Sequence, residues 1–337
     1  APTVASRFLL RFQAVSADKA DQDASVLAMA RALDQRLPEV RITQPAPDPS
    51  ADQRKVNLSV TELDRLRADP FAFYARRILG LTALDPVDAE PSAAWRGTAV
   101  HSILEKWRKE DGLDPELLAR RAERYLDEAN VHPLITALWR PRLLAALQWV
   151  ACCTGEMAAA GRQVVAAEIK GSMVVDGITI TGKADRIDRM PDGSLVIVDY
   201  KTGQPPSSAQ VEAGYALQLG LLGMIAQRSG YKDHTDTPGP SGIASGFEYW
   251  SLTKHAKSET GFGHIATPVK SGRKTSGLAA EAMMPTAERY LREALAEWIL
   301  GRQPFTAKLV PDQAIFTEYD QLMRLGEWYG RQRGSAS

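Results

Sequence analysis

The chain has 337 residues, 44% hydrophobic and 24% charged, the composition of a soluble globular protein with one large domain or two modest ones. Lys plus Arg and Asp plus Glu balance at 41 each, which excludes a polybasic tail that grips nucleic acid by bulk charge and leaves a local site open. Two adjacent cysteines, Cys152 and Cys153, exclude a disulfide framework, and no apolar run reaches the ~18 residues that would predict a membrane span.

The opening APTVASRFLLRFQAV sets arginines on both sides of a short apolar run, so it does not read as a secretory signal, and a cytoplasmic protein is expected. A start at Ala1 is expected of a piece of something longer. Residues 24–37 predict an amphipathic helix with Val26, Met29, Ala30 and Leu33 on one face. Residues 43–57 follow, with Pro45, Pro47 and Pro49 and no apolar period, and read as a linker. Residues 1–42 are too short to fold alone and read as the tail of a preceding domain.

Ser59 and Glu62 have capping-box spacing and open a helix over 59–79. Further helices are predicted over 95–109, 115–128 and 136–160. The period then changes. Residues 164–175, 178–185 and 194–201 are short, β-branched and partly alternating, and predict three consecutive strands. A helix over 208–228, a strand over 246–253, a polar loop around 256–276 and a long helix over 278–300 complete the pattern. The layout predicts an α/β or α+β sandwich with a helical cap.

Pro191-Asp192-Gly193 is a turn signal between two strands, so a β-hairpin is expected. Centred on Asp192, that hairpin sets Asp185 opposite Asp199, with Cβ atoms ~5 Å apart. Like charges there destabilise a sheet unless a cation lies between them, and a divalent metal is the economical explanation. Lys201 shares the face of Asp199, and Leu195 and Ile197 precede both, so the polar pair ends an apolar row. A solvated strand end, with Lys201 screening two aspartates, is the other reading.

Three more residues join them. Glu168 is a lone carboxylate after an apolar run, either a strand-edge charge or a catalytic group. Gln218 falls on the apolar stripe of Val211, Tyr215, Leu222 and Ile225, where an amide needs buried partners. His101 sits at the edge of the face made by Val100, Ile103, Leu104 and Trp107, a position equally suited to a structural histidine.

GTAVHSILE, the lone Glu168, GKADRID, VDYKTG and a Gln-bearing helix, in that order, resemble the PD-(D/E)XK nuclease superfamily of RecB type. Within it they are most similar to the nuclease domain of bacterial AddB, the partner subunit in AddAB helicase–nucleases. SRFLLRF, SVTELDRLRADPFAFYARRILGL and QLMRLGEWYG also look like the AddB C-terminal region, so the resemblance covers nearly the whole chain. It implies a helicase-like domain before the linker and a RecB-type nuclease domain over 58–337. That domain has a motif core at 95–270, a central mixed sheet flanked by helices, and a C-terminal helical segment at 277–330.

The resemblance also assigns roles. His101, Asp185 and Asp199 match metal ligands, with the Tyr200 backbone carbonyl as a further one. Lys201 matches the catalytic lysine, Glu168 the additional acid and Gln218 the first residue of a Gln-x-x-x-Tyr motif. Leu222 stands where that tyrosine is expected, so its contact is lost or passes to another residue such as Tyr215. Many AddB proteins hold an iron–sulfur cluster with one cysteine before the core and three after it. Here the earlier position is Asp69 and the C-terminal segment has no cysteine, so no cluster is expected. Packing of the 59–79 helix against Trp298, Phe305, Phe316 and Trp328 is expected to close the fold instead.

The implied chemistry is hydrolysis of DNA phosphodiesters with Mg²⁺, or Mn²⁺ in its place, by an exonuclease acting at double-strand breaks. An AddA-type helicase–nuclease subunit would deliver a single strand, and Lys183, Arg186 and Arg189 are candidate phosphate contacts or a solvated hairpin face. Two other readings stay open: a catalytically silent module that holds the partner, and a stand-alone RecB-type exonuclease.

Overall fold

The computed structural model describes residues 4–16, 23–35, 42–82, 84, 93–129, 133–233, 235–270, 276–315 and 317–334. They fall in two compact units, residues 1–43 with 327–337, and residues 44–326. In the first unit, α1 (Arg7–Val15) starts where Ser6 accepts from the Leu9 N–H, and α2 (Ala24–Asp34) where Asp23 accepts from Ser25 and Val26. Those side chains satisfy amides that a helix start leaves without partners. The end of the helix predicted over 24–37 lies outside the described residues.

The second unit begins with the proline-rich stretch, which is docked rather than free. A proline lacks the N–H but keeps its carbonyl. Pro47 O accepts from Phe305 N–H and Pro45 O from Ala307 N–H, each at 2.8 Å. Buried Arg54 donates to the carbonyls of Pro49, Trp298 and Gln303. Residues expected to be a linker are thus held by backbone pairing that leaves no periodic trace in sequence.

β1 (Leu58–Ser59) leads into α3 (Val60–Ala68), where Glu62 accepts from the Ser59 N–H at 2.8 Å as the capping box predicts. The helix expected over 59–79 breaks at Asp69, because the residue before a proline is pushed out of helical geometry. α4 (Pro70–Phe73) and a π-helical turn, Tyr74–Ile78, follow. α5 (Ala93–Glu110), α6 (Pro115–Glu128) and α7 (Pro133–Ala159) match the predicted helices closely. β2 (Gln163–Val175), β3 (Ile178–Arg189) and β4 (Leu195–Lys201) are the three predicted strands.

The helix expected over 208–228 is two, α8 (Ser208–Glu212) and α9 (Gln218–Gln227). Between them Gly214 has φ +78°, and the Arg67 and Tyr290 side chains occupy the space a Cβ would need. β5 (Tyr231–Lys232), β6 (Ala244–Lys254) and β7 (Phe262–Ala266) complete the sheet, β7 lying inside the polar loop of the sequence reading. α10 (Ala280–Ala294), a π-helical turn at Leu295–Ile299 and α11 (Leu325–Gly334) end the chain.

The sheet runs β5-β2-β3-β4-β6-β7, with β1 parallel to β3. β2, β3 and β4 form an antiparallel meander, β6 is parallel to β4, and β7 returns antiparallel, so the sheet is mixed as expected. Period two divides β4 between two cores. Leu195 and Ile197 pack with Leu219, Leu222 and Leu291 from α9 and α10. Val196, Val198 and Tyr200 pack with Ile103, Trp107 and Leu147 from α5 and α7. Each such side chain contributes ~1.5–3 kcal/mol. No described helix is long and apolar enough to cross a membrane.

The C-terminal segment closes over α3 and α4. Phe73 and Phe305 stack with centroids 6.1 Å apart, and Trp298 is buried in the same core. Phe316 lies outside the described residues, and Trp328 belongs to the first unit. A polar contact that the sequence reading did not foresee sits beside the aromatic one. Fully buried Asp69 accepts from the backbone N–H groups of Ala72 and Lys308, and Lys308 Nζ lies 3.3 Å from Asp69 and 2.9 Å from Asp320.

Candidate active site

The hairpin ladder pairs Arg186 with Val198, Ile187 with Ile197, Asp188 with Val196 and Arg189 with Leu195, the register that a turn centred on Asp192 predicts. Asp185 and Asp199 are the next residues along it. On the other side of β3, Ala167 pairs with Arg186 and Ile169 with Ala184, which sets Glu168 opposite Asp185. Three buried carboxylates, Glu168, Asp185 and Asp199, therefore form one row across β2, β3 and β4. Glu168 has φ +51°, a left-handed conformation that non-glycine residues rarely adopt and that concentrates at functional sites.

Helices on both sides supply the partners. From α5, His101 Nδ1 lies 2.8 Å from Glu168 Oε1 and 3.4 Å from Asp185 Oδ1. Asp185 Oδ2 accepts from the Tyr200 backbone N–H at 2.9 Å, and Lys183 pairs with Glu168. At the other end of the row, Lys201 Nζ stands 2.7 Å from Asp199 Oδ2. Gln218 Nε2 donates to Asp199 Oδ1 at 2.7 Å, while its Oε1 lies 3.4 Å from Lys201 Nζ. The break after α8 makes this possible, because it turns Gln218 into the first residue of α9. Asp64 on α3 caps that start, accepting from the Leu217 N–H at 3.0 Å.

Burial and charge set the protonation states. Burial pushes the Asp199 carboxyl up to about 6, helped by neighbouring Asp185 and opposed by Lys201. Burial would lower the His101 imidazole, but hydrogen bonds to Asp185 and Glu168 more than offset it and hold it up at about 10. Burial likewise works to raise Glu168, and hydrogen bonds from His101 and Lys183 reverse that and hold it below the usual glutamate value.

The row fits a hard divalent cation. One ligand atom each from His101, Glu168 and Asp185 lie within 4.8 Å of one another. Asp199 Oδ2 is buried and makes no directed hydrogen bond, although Lys201 stands beside it as an ion-pair partner. Carboxylate oxygens with one imidazole suit Mg²⁺ or Mn²⁺.

The other expected residues divide. Lys183 stands at the site, and Lys170 lies directly across from both Lys183 on β3 and Lys232 on β5, so a cationic row borders the carboxylate row. The short β5 and the unremarkable Lys170 gave no sequence signal for it. Arg186 is a correction: it is buried, bonded to Asp188 and Thr154 and stacked on Trp250, and has no surface to offer a phosphate. Arg189 sits at the turn end of the ladder, four residues or ~13 Å along β3 from Asp185. Tyr215 packs beneath the Arg67 guanidinium, and Leu222 is buried in the core over Gly182. Asp64 was missed; an acid inside an otherwise apolar-faced helix was its only trace.

A family model of the PD-(D/E)XK nuclease superfamily matches residues 57–309. An uncharacterized protein of Rickettsia typhi is 28% identical over 187 residues, 52% of this chain and 22% of that protein. The AddB-type chain of the ATP-dependent helicase/deoxyribonuclease of Streptococcus agalactiae is 26% identical over 155 residues, 44% of this chain and 14% of that protein. The chain thus spans between 14% and 22% of these two relatives. With the family match covering most of its length, and a carboxylate row ending beside a lysine at the end of β4, the chain belongs to the PD-(D/E)XK nuclease superfamily, RecB type, as a distant homologue of AddB-type helicase/deoxyribonuclease chains.

Proposed function

We propose that this domain is a Mg²⁺-dependent deoxyribonuclease, the nuclease part of an AddB-like subunit that processes double-strand-break ends. In this reading it works in the bacterial cytoplasm, at the nucleoid, with an AddA-type helicase–nuclease that delivers a single DNA strand. The observation that carries the reading is the row Glu168–Asp185–Asp199, flanked by His101 on one helix and by Lys201 and Gln218 at its other end.

His101, Asp185 and Asp199, with Glu168 beside them and the Tyr200 carbonyl as a further donor, would hold the ion. Bound there, the ion supplies Lewis acidity at the scissile phosphate. Lys201 orients the attacking water and offsets negative charge as it grows on the phosphoryl oxygens. Gln218 fixes the Asp199 carboxylate and the Lys201 ammonium relative to each other. His101 and Lys183 hold Glu168 ionised, and the Tyr200 N–H aims Asp185. Interactions of this supporting kind change activity by ~10–100-fold.

The test is cleavage of end-labelled single-stranded DNA with Mg²⁺. Products are expected from the wild-type chain and none from Asp199→Ala or Lys201→Ala. A wild type as inert as both variants, alone and with an AddA-type partner, refutes the reading.

A further inference from the structure

Beyond the end of β4 at Lys201, Thr202 and Gly203 lead into the wall of a second depression of about 670 Å³. α5, α7, β6 and β7 form the rest of it. The floor is apolar, including Val100 and Leu143, and Trp139 and Phe262 stand at its sides. Around it stand Arg96, Arg142 and Lys254, and no carboxylate lines it among the described residues.

Arg96, Arg142 and Lys254 are alike in their surroundings. All three are exposed, and none of their side chains makes a hydrogen bond or ion pair among the described residues. Arg140, two residues from Arg142, is bound to Glu123 and Asp127; Arg121 is bound to Asp111 and Glu110. Arg140 and Arg121 thus have carboxylate partners, whereas no carboxylate lines the wall of this depression among the described residues. Unpaired positive charge around an aromatic, apolar hollow is complementary to one chemical unit, a base carried on a phosphate. The volume lies in the ~300–1,000 Å³ range of small-ligand sites. It takes a nucleotide, not a duplex.

We propose that this depression binds the nucleotide next to the scissile phosphate. Its base lies on the apolar floor against Trp139 and Phe262, and its phosphates meet Arg96, Arg142 and Lys254. The inference rests on the nuclease reading and adds to it the seat of the neighbouring nucleotide. Stacking recognises any base face, so the pocket sets position along the strand rather than sequence. One base on an aromatic ring changes affinity by roughly 5–150-fold.

The test uses fluorescein-labelled oligothymidylates in which one abasic nucleotide is moved stepwise along the strand. Cleavage by the whole chain is followed with Mg²⁺, and binding by anisotropy. For the wild type, KM and Kd should rise about 10-fold when the abasic nucleotide falls at one fixed position relative to the cut. Trp139→Ala should bind the intact strand that much more weakly and become indifferent to the abasic position. Trp139 also packs on Trp95, with centroids 5.2 Å apart, so Trp139→Phe should restore both affinity and abasic sensitivity. Arg142→Ala and Lys254→Ala, which remove exposed and unpaired side chains, should each lower the salt dependence of binding by about one.

An abasic effect that survives Trp139→Ala, or an unchanged salt slope in both cation variants, overturns the pocket while Asp199-dependent cleavage leaves the nuclease reading standing. Cleavage by Asp199→Asn at the wild-type rate overturns both.

Discussion

Gln218 holds Asp199: its Nε2 donates to Asp199 Oδ1 at 2.7 Å while its Oε1 faces Lys201 at 3.4 Å. One amide therefore fixes the spacing of the carboxylate and the ammonium to which the proposed function gives the work on the phosphate. Replacing Gln218 with Ala should lower kcat for DNA cleavage by ~10–100-fold with a smaller effect on KM. Steady-state kinetics on a single-stranded oligonucleotide check it; an unchanged kcat would remove Gln218 from the site.

Asp199 illustrates how a site can weaken the fold that carries it. Its carboxyl is buried beside Asp185 and held up at about 6. At pH 8 the folded chain must keep that charge, so Asp199→Asn should stabilise the metal-free protein by about 1–3 kcal/mol. The same change should lower cleavage by ~10²–10³-fold or more. Thermal melts in EDTA, set beside activity assays, test the opposition. A lower melting temperature for the variant would count against it.

Asp64 carries a pH dependence. Burial pushes its carboxyl up to about 7, against the Leu217 N–H, Arg67 and Lys201. The unfolded chain releases that proton near pH 4, so between about 4 and 7 the folded state binds more protons and stability falls as pH rises. Asn keeps the acceptor for Leu217 and has no proton to lose. Asp64→Asn should therefore flatten the decline in melting temperature between pH 5 and 7.5 and exceed the wild type at the alkaline end. Parallel slopes for the two proteins would refute this.

Arg186 belongs to a buried network. It bonds both oxygens of fully buried Asp188, which also meets Arg162, and Arg162 in turn holds Glu248. Arg186→Met leaves Asp188 short of a counter-charge and should cost about 3–5 kcal/mol of stability. Below the melting temperature, DNA affinity should stay within about twofold of wild type. Urea titrations and anisotropy separate the two effects.

Much of the site was legible because its determinants are local. A two-strand turn and a period of two are enough to place Asp185, Asp199 and Lys201, and five ordered motifs add His101, Glu168 and Gln218. What escaped was contact between distant segments. Pro45 and Pro47 carry no pattern that reveals Phe305 and Ala307 as their partners. The apolar stripe through 208–228 is continuous in sequence, yet Gly214 interrupts it because Arg67 and Tyr290 fill the space beside it. Arg186 and Lys183 look alike on paper. Arg186 meets Asp188 and the Trp250 ring in the core, whereas Lys183 meets Glu168 at the site.

The two ends of the second unit are tied to each other, Gln44 to Ala307 and Asp69 to Lys308, across 263 and 239 residues. A chain leaving the ribosome cannot make these ties until its last segment has emerged, so the early strands and helices must wait with that flank open. Folding should accordingly end with one slow, long-range closure. Release of the chain before residue 308 would yield a domain in which His101, Asp185 and Lys201 are all present but the flank of α3 and α4 is left uncovered.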